Sequence, residues 1–400
     1  MNPTPESDVY IVSFLRTAFS RSRPNDPTKD LFNSIRMDEA LGSLISKMVT
    51  DTEVIPEDIG DVITGCALPV DENWTFGGRH PVFLAKLPFV VPSMSLDRQC
   101  SSSMNAISIG AMEIATGNAD IVIAGGMEHM THVPISENEH IKPNMKLLLR
   151  PEYLRYSMKT SYSMGLTAEK LAELRNISRE DMDLFSYESH MKASRALEEG
   201  YFKAEILPIA VEQGSETFVV DRDQSIRRDT TRGALAELKP AFKPDGVITA
   251  GNSSPLNAGA SAVMLMSGAK VKEYGITPQA RILSFGWAAV DPSIMGDAIV
   301  PASQKALSRS GLGVDDIDIW EINEAFAVVA LNAERQLGIQ NDRVNLKGGA
   351  IAIGHPLGAS GARIVGTLSR LLRETGKDRG MATLCVGGGQ GYAMLIERCS

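Results

Sequence analysis

The chain has 400 residues, 43% hydrophobic and 22% charged, enough for about two to three domains and too apolar for an intrinsically disordered protein. Its formal net charge of −9 excludes a general polyanion binder, so no nucleic-acid partner is expected, although a local basic pocket for a small anion stays open. The acidic start carries no apolar leader and no later run approaches the ~20 apolar residues of a membrane span, which together predict a cytoplasmic protein.

Taken in order, Val9-Tyr-Ile-Val-Ser-Phe14 and Asp61-Val-Ile-Thr-Gly65 read as strands. Beyond Cys100, the apolar residues Met104, Ile107, Ala111 and Ile114 step at helical spacing, and Asp120-Ile-Val-Ile-Ala124 is again strand-like. From Glu128 to Thr249 the chain is richer in charge and reads as an inserted subdomain. Within it Ser178 caps a helix, with Asp181 at the third position, that runs towards Tyr201. Ala262-Val-Met-Leu-Met266, Ile317-Asp-Ile-Trp-Glu-Ile322 and Met381-Ala-Thr-Leu-Cys385 are further strands, and an amphipathic helix is predicted over Ala359–Glu374. Strands alternating with helices predict an α/β layered fold.

Pro56-Glu-Asp-Ile-Gly-Asp-Val-Ile63 resembles Val314-Asp-Asp-Ile-Asp-Ile-Trp320, each an acidic approach to a buried strand. Asp58 precedes Cys100 by 42 residues and Asp316 precedes His355 by 39. This spacing predicts two duplicated α/β halves in which Cys100 and His355 hold similar places and meet at a central seam. The division expected is 1–127 with 250–275 as the first half, 128–249 as the insertion, and 276–400 as the second half.

Cys66, Cys100, Cys385 and Cys399 are too scattered for a disulfide framework or a zinc pattern, so reduced thiols and no metal are expected. In Gln99-Cys100-Ser101-Ser102-Ser103-Met104-Asn105 the thiol stands at a helix N-terminus. There the positive end of the backbone dipole is expected to lower its pKa and unpaired N–H groups can hold an oxyanion. Standing alone, it would read rather as a buried structural cysteine. In Gly354-His355-Pro356-Leu357-Gly358 an imidazole sits among residues that permit close approach, and titration near neutrality suits it to take a thiol proton. Cys385 leads into Val386-Gly387-Gly388-Gly389-Gln390-Gly391, either a plain turn between strands or a thiol beside bare backbone amides. Asn323 follows the Trp320 strand, where it could cap a helix or hold a water.

Together these four stretches resemble the thiolase family, from Arg16-Thr17-Ala18-Phe19 to Gly391. Further matching stretches are Gly125-Gly126-Met127-Glu128, Met164-Gly165-Leu166-Thr167, Thr249-Ala-Gly-Asn-Ser-Ser254 and Met295-Gly296. The resemblance implies a layered fold of two similar halves with an inserted loop domain that receives coenzyme A. It implies Cys100 as the acylated nucleophile, His355 as its base and Cys385 as the acid/base at the acetyl carbon. Asn323 would hold a water that forms one oxyanion hole with His355, and the N–H groups of Cys100 and Gly387 would form the other. Coenzyme A and acyl-CoA are then substrates, with no prosthetic group. Arg227 falls at the adenine end, Ser254 and Phe326 along the coenzyme arm, and Met164 and Met295 at the acyl pocket. Arg227 beside Arg228 also reads as a solvated pair, and the methionines as core filler.

Ser163, Lys347 and the stretches Glu128–Pro134 and Asp291–Gly296 lean towards 3-ketoacyl-CoA thiolases, while the segment Arg21–Asn33 is longer than the family's usual connection. The expected reaction is thiolytic cleavage of a 3-ketoacyl-CoA through an acyl-cysteine. Alternatives are an acetoacetyl-CoA-forming acetyltransferase, a β-ketoacyl synthase, and a non-catalytic acyl-CoA-binding scaffold. The family implies a homodimer or homotetramer and, for degradative members, a hydratase–dehydrogenase partner.

Overall fold

A computed structural model describes residues 8–136 and 138–399; most of the acidic start lies outside the described residues. Its strands are β1 Val9–Arg16, β2 Ser20–Arg21, β3 Asp61–Gly65, β4 Ser93–Leu96, β5 Ile121–His129, β6 Ile209–Gln213 and β7 Glu216–Val220. After these come β8 Asn257–Ser267, β9 Ala280–Ala289, β10 Ile319–Ile322, β11 Arg379–Val386 and β12 Gln390–Arg398. β6 and β7 form a separate hairpin; the others build one sheet in the order β10-β11-β12-β9-β1-β8-β5-β3-β4, with β2 beside β8.

The order is symmetric about the β1·β9 junction. Outward on one side β1 is antiparallel to β8, β8 antiparallel to β5, β5 parallel to β3 and β3 parallel to β4. On the other side β9 is antiparallel to β12, β12 antiparallel to β11, β11 parallel to β10, and Trp320 on β10 bridges in parallel to Val344. The acidic repeat of the sequence forms matching 3-10 turns, Pro56–Asp58 before β3 and Val314–Asp316 before β10. At the junction only Tyr10↔Arg281 and Ile11↔Ala280 pair.

The helix Ser360–Thr375 packs against β5, β8 and β1 and also against β10, β11 and β12. With neighbouring strands about 4.8 Å apart, a flat sheet would hold β5 and β10 nearly 30 Å from each other, too far for one helix to touch both. The two half-sheets therefore fold around it, and the equivalent helix Ser102–Ala115 lies beside it in the same central layer. Helices Met37–Thr52 and Ile299–Ser310 cover the outer faces, on β8 and β5 and on β9 and β12. Coverage on both faces explains why β5 and β8 are buried at every position, and why their sequences are apolar or small apart from Glu128, His129 and Asn257 at one end of the pair.

Met104, Ile107, Ala111 and Ile114 are all buried on the helix Ser102–Ala115. The helix Arg179–Glu198 starts as its capping pattern requires, with Ser178 Oγ accepting from the Asp181 N–H at 3.1 Å. Among the described residues no helix is long and apolar enough to cross a membrane.

Candidate active site

Cys100 sits in the single turn Gln99–Ser101, immediately before the helix Ser102–Ala115, where Gln99 takes a φ of 46°. That turn packs against β11 and against the turn Leu357–Ala359. The Gly387 N–H is directed at the Cys100 sulfur, and Cys385 lies close enough for the two thiols to perturb each other. Cys100 is 8% exposed and Cys385 fully buried.

Gly387, Gly388 and Gly389 form the tight link between β11 and β12, with φ of +80° at the last two, a region that costs other residues steric strain. Pro292 and the Val290 carbonyl approach within 2.7 Å of where a Cβ on Gly389 would stand, whereas Gly387 has open space on its Cβ side, with Gln99 no nearer than 3.5 Å. The glycine-rich stretch is thus both a turn and a source of an inward N–H, which reconciles its two readings.

His355 follows Gly354, whose φ of 125° allows the chain to pass the Asn257 side chain, 2.8 Å from where a Cβ would be. Asn257 Oδ1 accepts from the His355 N–H at 2.8 Å, while Asn257 Nδ2 donates to the Ser20 carbonyl at 2.8 Å. On the ring, Nδ1 lies 2.6 Å from Ser360 Oγ and Nε2 lies 3.4 Å from Asn323 Nδ2. Ser360 Oγ donates its hydrogen to the Pro356 carbonyl at 2.9 Å, so it accepts from Nδ1–H. This fixes the tautomer and leaves the Nε2 lone pair on the Asn323 side of the ring.

Asn323 is not a helix cap. The helix Ala327–Leu337 begins after Phe326 without a side-chain cap, and the buried Asn323 Oδ1 has no partner within the protein. An acceptor so placed has the chemistry to bind a water or a substrate N–H. Its neighbour Glu324 accepts from Ser189 Oγ, Asn345 Nδ2 and the Ile351 N–H, tying the Asn323 turn to the approach to His355. Glu128 plays the matching part across the seam, accepting from the N–H groups of Ala67, Leu68 and Gly358 and from Asn73 Nδ2.

Burial dominates the proton affinities. It pushes the Cys100 thiol up to about 12, against the opposing Gly387 N–H and with a smaller upward push from Glu128. The expected lowering by the helix terminus is therefore outweighed, because a thiolate here would lose its water shell. Burial pushes Cys385 up as well, with Cys100 adding to it. It drives His355 down to about 3, aided by the Arg363 charge, in place of a titration near neutrality. The resting trio is uncharged, and charge separation must await substrate.

Of the coenzyme-contact candidates, Ser254 donates its N–H to the Ala325 carbonyl at 3.0 Å, just beyond Asn323. Phe326, 7% exposed, meets Phe242 edge-on at 6.0 Å. Met295 and Cys385 belong to one buried apolar cluster, against which Met164 packs. Arg227 is exposed, and its N–H donates to His190 Nδ1 at 3.3 Å. Ser360, Asn257, Glu128 and Glu324 were missed as supports by sequence reasoning, because none forms a spacing pattern with the residue it holds.

Glu72, His129 and His132 bring potential metal-ligand atoms within 4.8 Å of one another. The two imidazoles are nevertheless stacked with centroids 3.8 Å apart and planes 8° from parallel, so no ion could lie in both ring planes. His132 instead bonds Glu72 at 2.7 Å and Asn33 at 3.1 Å, which makes this a hydrogen-bonded clasp.

Comparison with known proteins gives the family. Residues 9–269 match the family description "Thiolase, N-terminal domain" and residues 276–398 match "Thiolase, C-terminal domain". A protein of Saccharophagus degradans named 3-ketoacyl-CoA thiolase is 41% identical over 397 residues, covering 98% of each chain. One of Vibrio vulnificus with the same name is 42% identical over 397 residues, covering 98% of this chain and 99% of its own. The crystal structure of the Bacillus anthracis acetyl-CoA acetyltransferase superposes with a TM-score of 0.87 at 34% identity, covering 98% of this chain and 99% of that one. The chain belongs to the thiolase family, acyltransferases that use coenzyme A thioesters as substrates and need no prosthetic group.

Proposed function

We propose that this thiolase cleaves 3-ketoacyl-CoA with coenzyme A, giving acetyl-CoA and a shortened acyl-CoA by a ping-pong route through acyl-Cys100, as a step of fatty-acid β-oxidation. The observation that supports the reading is the packing of the Cys100 turn against β11, which carries Cys385, and against the Leu357–Ala359 turn, which follows a buried His355 whose Nε2 lone pair is set by Ser360. The names and the near-complete coverage of the relatives favour a 3-ketoacyl substrate over acetoacetyl-CoA synthesis.

In the first half-reaction the Cys100 sulfur attacks the 3-keto carbon while its proton passes to His355 Nε2. Nδ1–H stays on Ser360, which holds the imidazolium in place. The tetrahedral oxyanion is held by the N–H groups of Cys100 and Gly387. Collapse breaks the C2–C3 bond, whose electron pair passes into an acetyl-CoA enolate; its oxygen is held by His355 and a water on Asn323, and its carbon takes the proton of Cys385. In the second half-reaction the coenzyme A thiol gives its proton to the Cys385 thiolate and attacks the acyl carbon; the C–S bond to Cys100 breaks, and the leaving Cys100 thiolate takes back its proton from His355 Nε2. Arg227, Ser254 and Phe326 would hold the coenzyme, with Met164 and Met295 at the acyl end and the 128–249 segment as the docking domain.

A homodimer or homotetramer is also proposed. Strand β4 ends the sheet, and Trp74, Phe76, Phe83, Phe89 and Val90 are exposed beside it, Phe89 to 83%. A cytoplasmic location and a hydratase–dehydrogenase partner accompany this reading. The test is a series of 3-ketoacyl-CoA substrates with coenzyme A, following thioester loss and the mass of the Cys100 peptide. Turnover without acylation of Cys100 would sink the mechanism.

A further inference from the structure

The turn that carries Cys100 is fastened from the opposite half of the molecule by a side chain that takes no part in the reaction. Gln99 holds a φ of 46°, a conformation that a non-glycine residue keeps only where its surroundings fix it. Its own half supplies several bonds. The Gln99 N–H donates to Asp97 Oδ1 at 2.6 Å, Gln99 Nε2 donates to the Ala67 carbonyl at 3.2 Å, and the Arg98 N–H donates to Ser102 Oγ at 2.9 Å. The Arg98 side chain leaves that half. Its guanidinium carbon lies 5.5 Å from the centre of the Trp287 ring and 5.4 Å from that of Tyr392.

The two rings make a fixed platform. Trp287 on β9 and Tyr392 on β12 stand directly opposite each other in the antiparallel ladder, with centroids 5.7 Å apart and planes inclined by 30°. Trp287 is steadied further by Phe285, stacked at 6.1 Å, and by Arg309, whose guanidinium carbon lies 5.3 Å from the ring centre. On its other edge β12 pairs Tyr392 with Leu384 and Gly391 with Cys385. Arg98 therefore stands two residues before the nucleophile, and the rings it meets stand one ladder step from the second thiol. The link that offers the Gly387 N–H joins β11 to the same β12. Among the described residues the Arg98 guanidinium forms no ion pair and no side-chain hydrogen bond; what holds it is the pair of ring faces. A guanidinium is planar and weakly hydrated, which suits it to this stacking better than an ammonium.

We propose that Arg98 is a positioning residue: clamped on Trp287 and Tyr392, it sets the Cys100 sulfur at a fixed spacing from Cys385 and the Gly387 N–H. The proposal rests on the thiolase reading of this site and deepens it by assigning the device that holds the nucleophile in place.

The experiment compares wild type with Arg98→Ala, Arg98→Lys, Trp287→Ala, Trp287→Phe and the double variant Arg98→Ala with Trp287→Ala, each checked by a thermal melt. Single-turnover acylation of Cys100 at saturating acetyl-CoA, beside coenzyme A affinity by calorimetry, separates positioning from binding. Loss of a partly desolvated cation–π clamp should slow acylation in Arg98→Ala roughly tenfold, while coenzyme A affinity stays within about twofold. Trp287→Ala should show a similar loss and the double variant no more than the larger of the two, because both remove one interaction. Arg98→Lys and Trp287→Phe should recover part of the rate. A second readout needs no acyl transfer: alkylation by iodoacetamide, followed peptide by peptide. Freed from the clamp, the turn should expose Cys100 and raise its alkylation several-fold, whereas Cys66, 2% exposed just past β3, should react as in wild type. Unchanged acylation together with unchanged Cys100 alkylation in Arg98→Ala would overturn the proposal. Additive losses in the double variant would overturn it too, as would parallel exposure of Cys66 and Cys100, which would mark general loosening of the fold. If wild type never acylates Cys100, the reaction assigned above fails, and the alkylation of Cys100 relative to Cys66 still decides the clamp.

Discussion

Replacing Ser360 by alanine tests the tautomer argument directly. The hydroxyl accepts from His355 Nδ1 at 2.6 Å and donates to the Pro356 carbonyl at 2.9 Å, so it places the ring hydrogen on Nδ1, in agreement with the longer approach of the Asn323 Nδ2 donor to Nε2. Without it, Nδ1–H is buried and unpaired at a cost of about 1–3 kcal/mol, and the ring gains by moving its hydrogen to Nε2 or by rotating. Carried into the acylation barrier, that cost slows acyl transfer by about ten- to hundredfold, at 1.36 kcal/mol per factor of ten. The assay is rapid-quench mass spectrometry of the Cys100 peptide after mixing with acetyl-CoA, beside a thermal melt that establishes folding. Ser360→Thr keeps a hydroxyl and should recover most of the rate. A folded Ser360→Ala protein that acylates within twofold of wild type would refute the reasoning, as would a threonine variant no better than alanine.

Cys100→Ala should lose thiolysis and condensation together, whereas Cys385→Ala should still acylate Cys100 from a simple acyl-CoA; equal loss of acylation in both would contradict the division of roles. His355 has a folded value near 3 against 6.5 unfolded, so the unfolded chain binds more protons between those pH values and this contribution to stability is lost as pH falls from about 6.5 towards 3. Urea denaturation should therefore show His355→Asn losing less stability than wild type between pH 6.5 and 5, by an amount on the order of 1–2 kcal/mol; identical pH slopes would contradict the burial argument. Gly389→Ala combines a φ of +80° with contacts of 2.7 Å and should lower the melting temperature, while Gly387→Ala should melt close to wild type. Comparable losses in the two would show that the turn is less constrained than its backbone implies.

How much of this was legible beforehand depended on the kind of signal. β3 coincides with Asp61–Gly65, because a short apolar run between turn residues has little freedom of reading. The acidic repeat gave the duplication, since the same 3-10 turn precedes the same strand in each half. β9 and β12 escaped notice: Arg281, Ser284 and Gly286 interrupt the first, and the second emerges directly from a glycine turn. β4 has no buried position at all, so no periodicity could announce it. In the site, the reactive residues carried chemistry in their type, but Ser360, Asn257, Glu128 and Glu324 act through distances of about 3 Å that only folding creates. The direction of the thiol shift was misjudged for a related reason. A helix terminus is visible in sequence, whereas the burial that overrides it is a property of the assembled layers.

The symmetric strand order has a consequence for how such a site can arise. Cys100 stands two residues before one central helix and His355 five before its counterpart, so the two halves bring a thiol and an imidazole to the seam. Two identical copies would face thiol with thiol or imidazole with imidazole, and neither pairing moves a proton downhill during attack. The proposed proton transfer therefore requires the two halves to differ at this seam. On the proposed mechanism each half alone lacks the other's reagent, and the half that carries His355 also lacks the Asn257 and Glu128 bonds that hold the His355 loop from across the boundary.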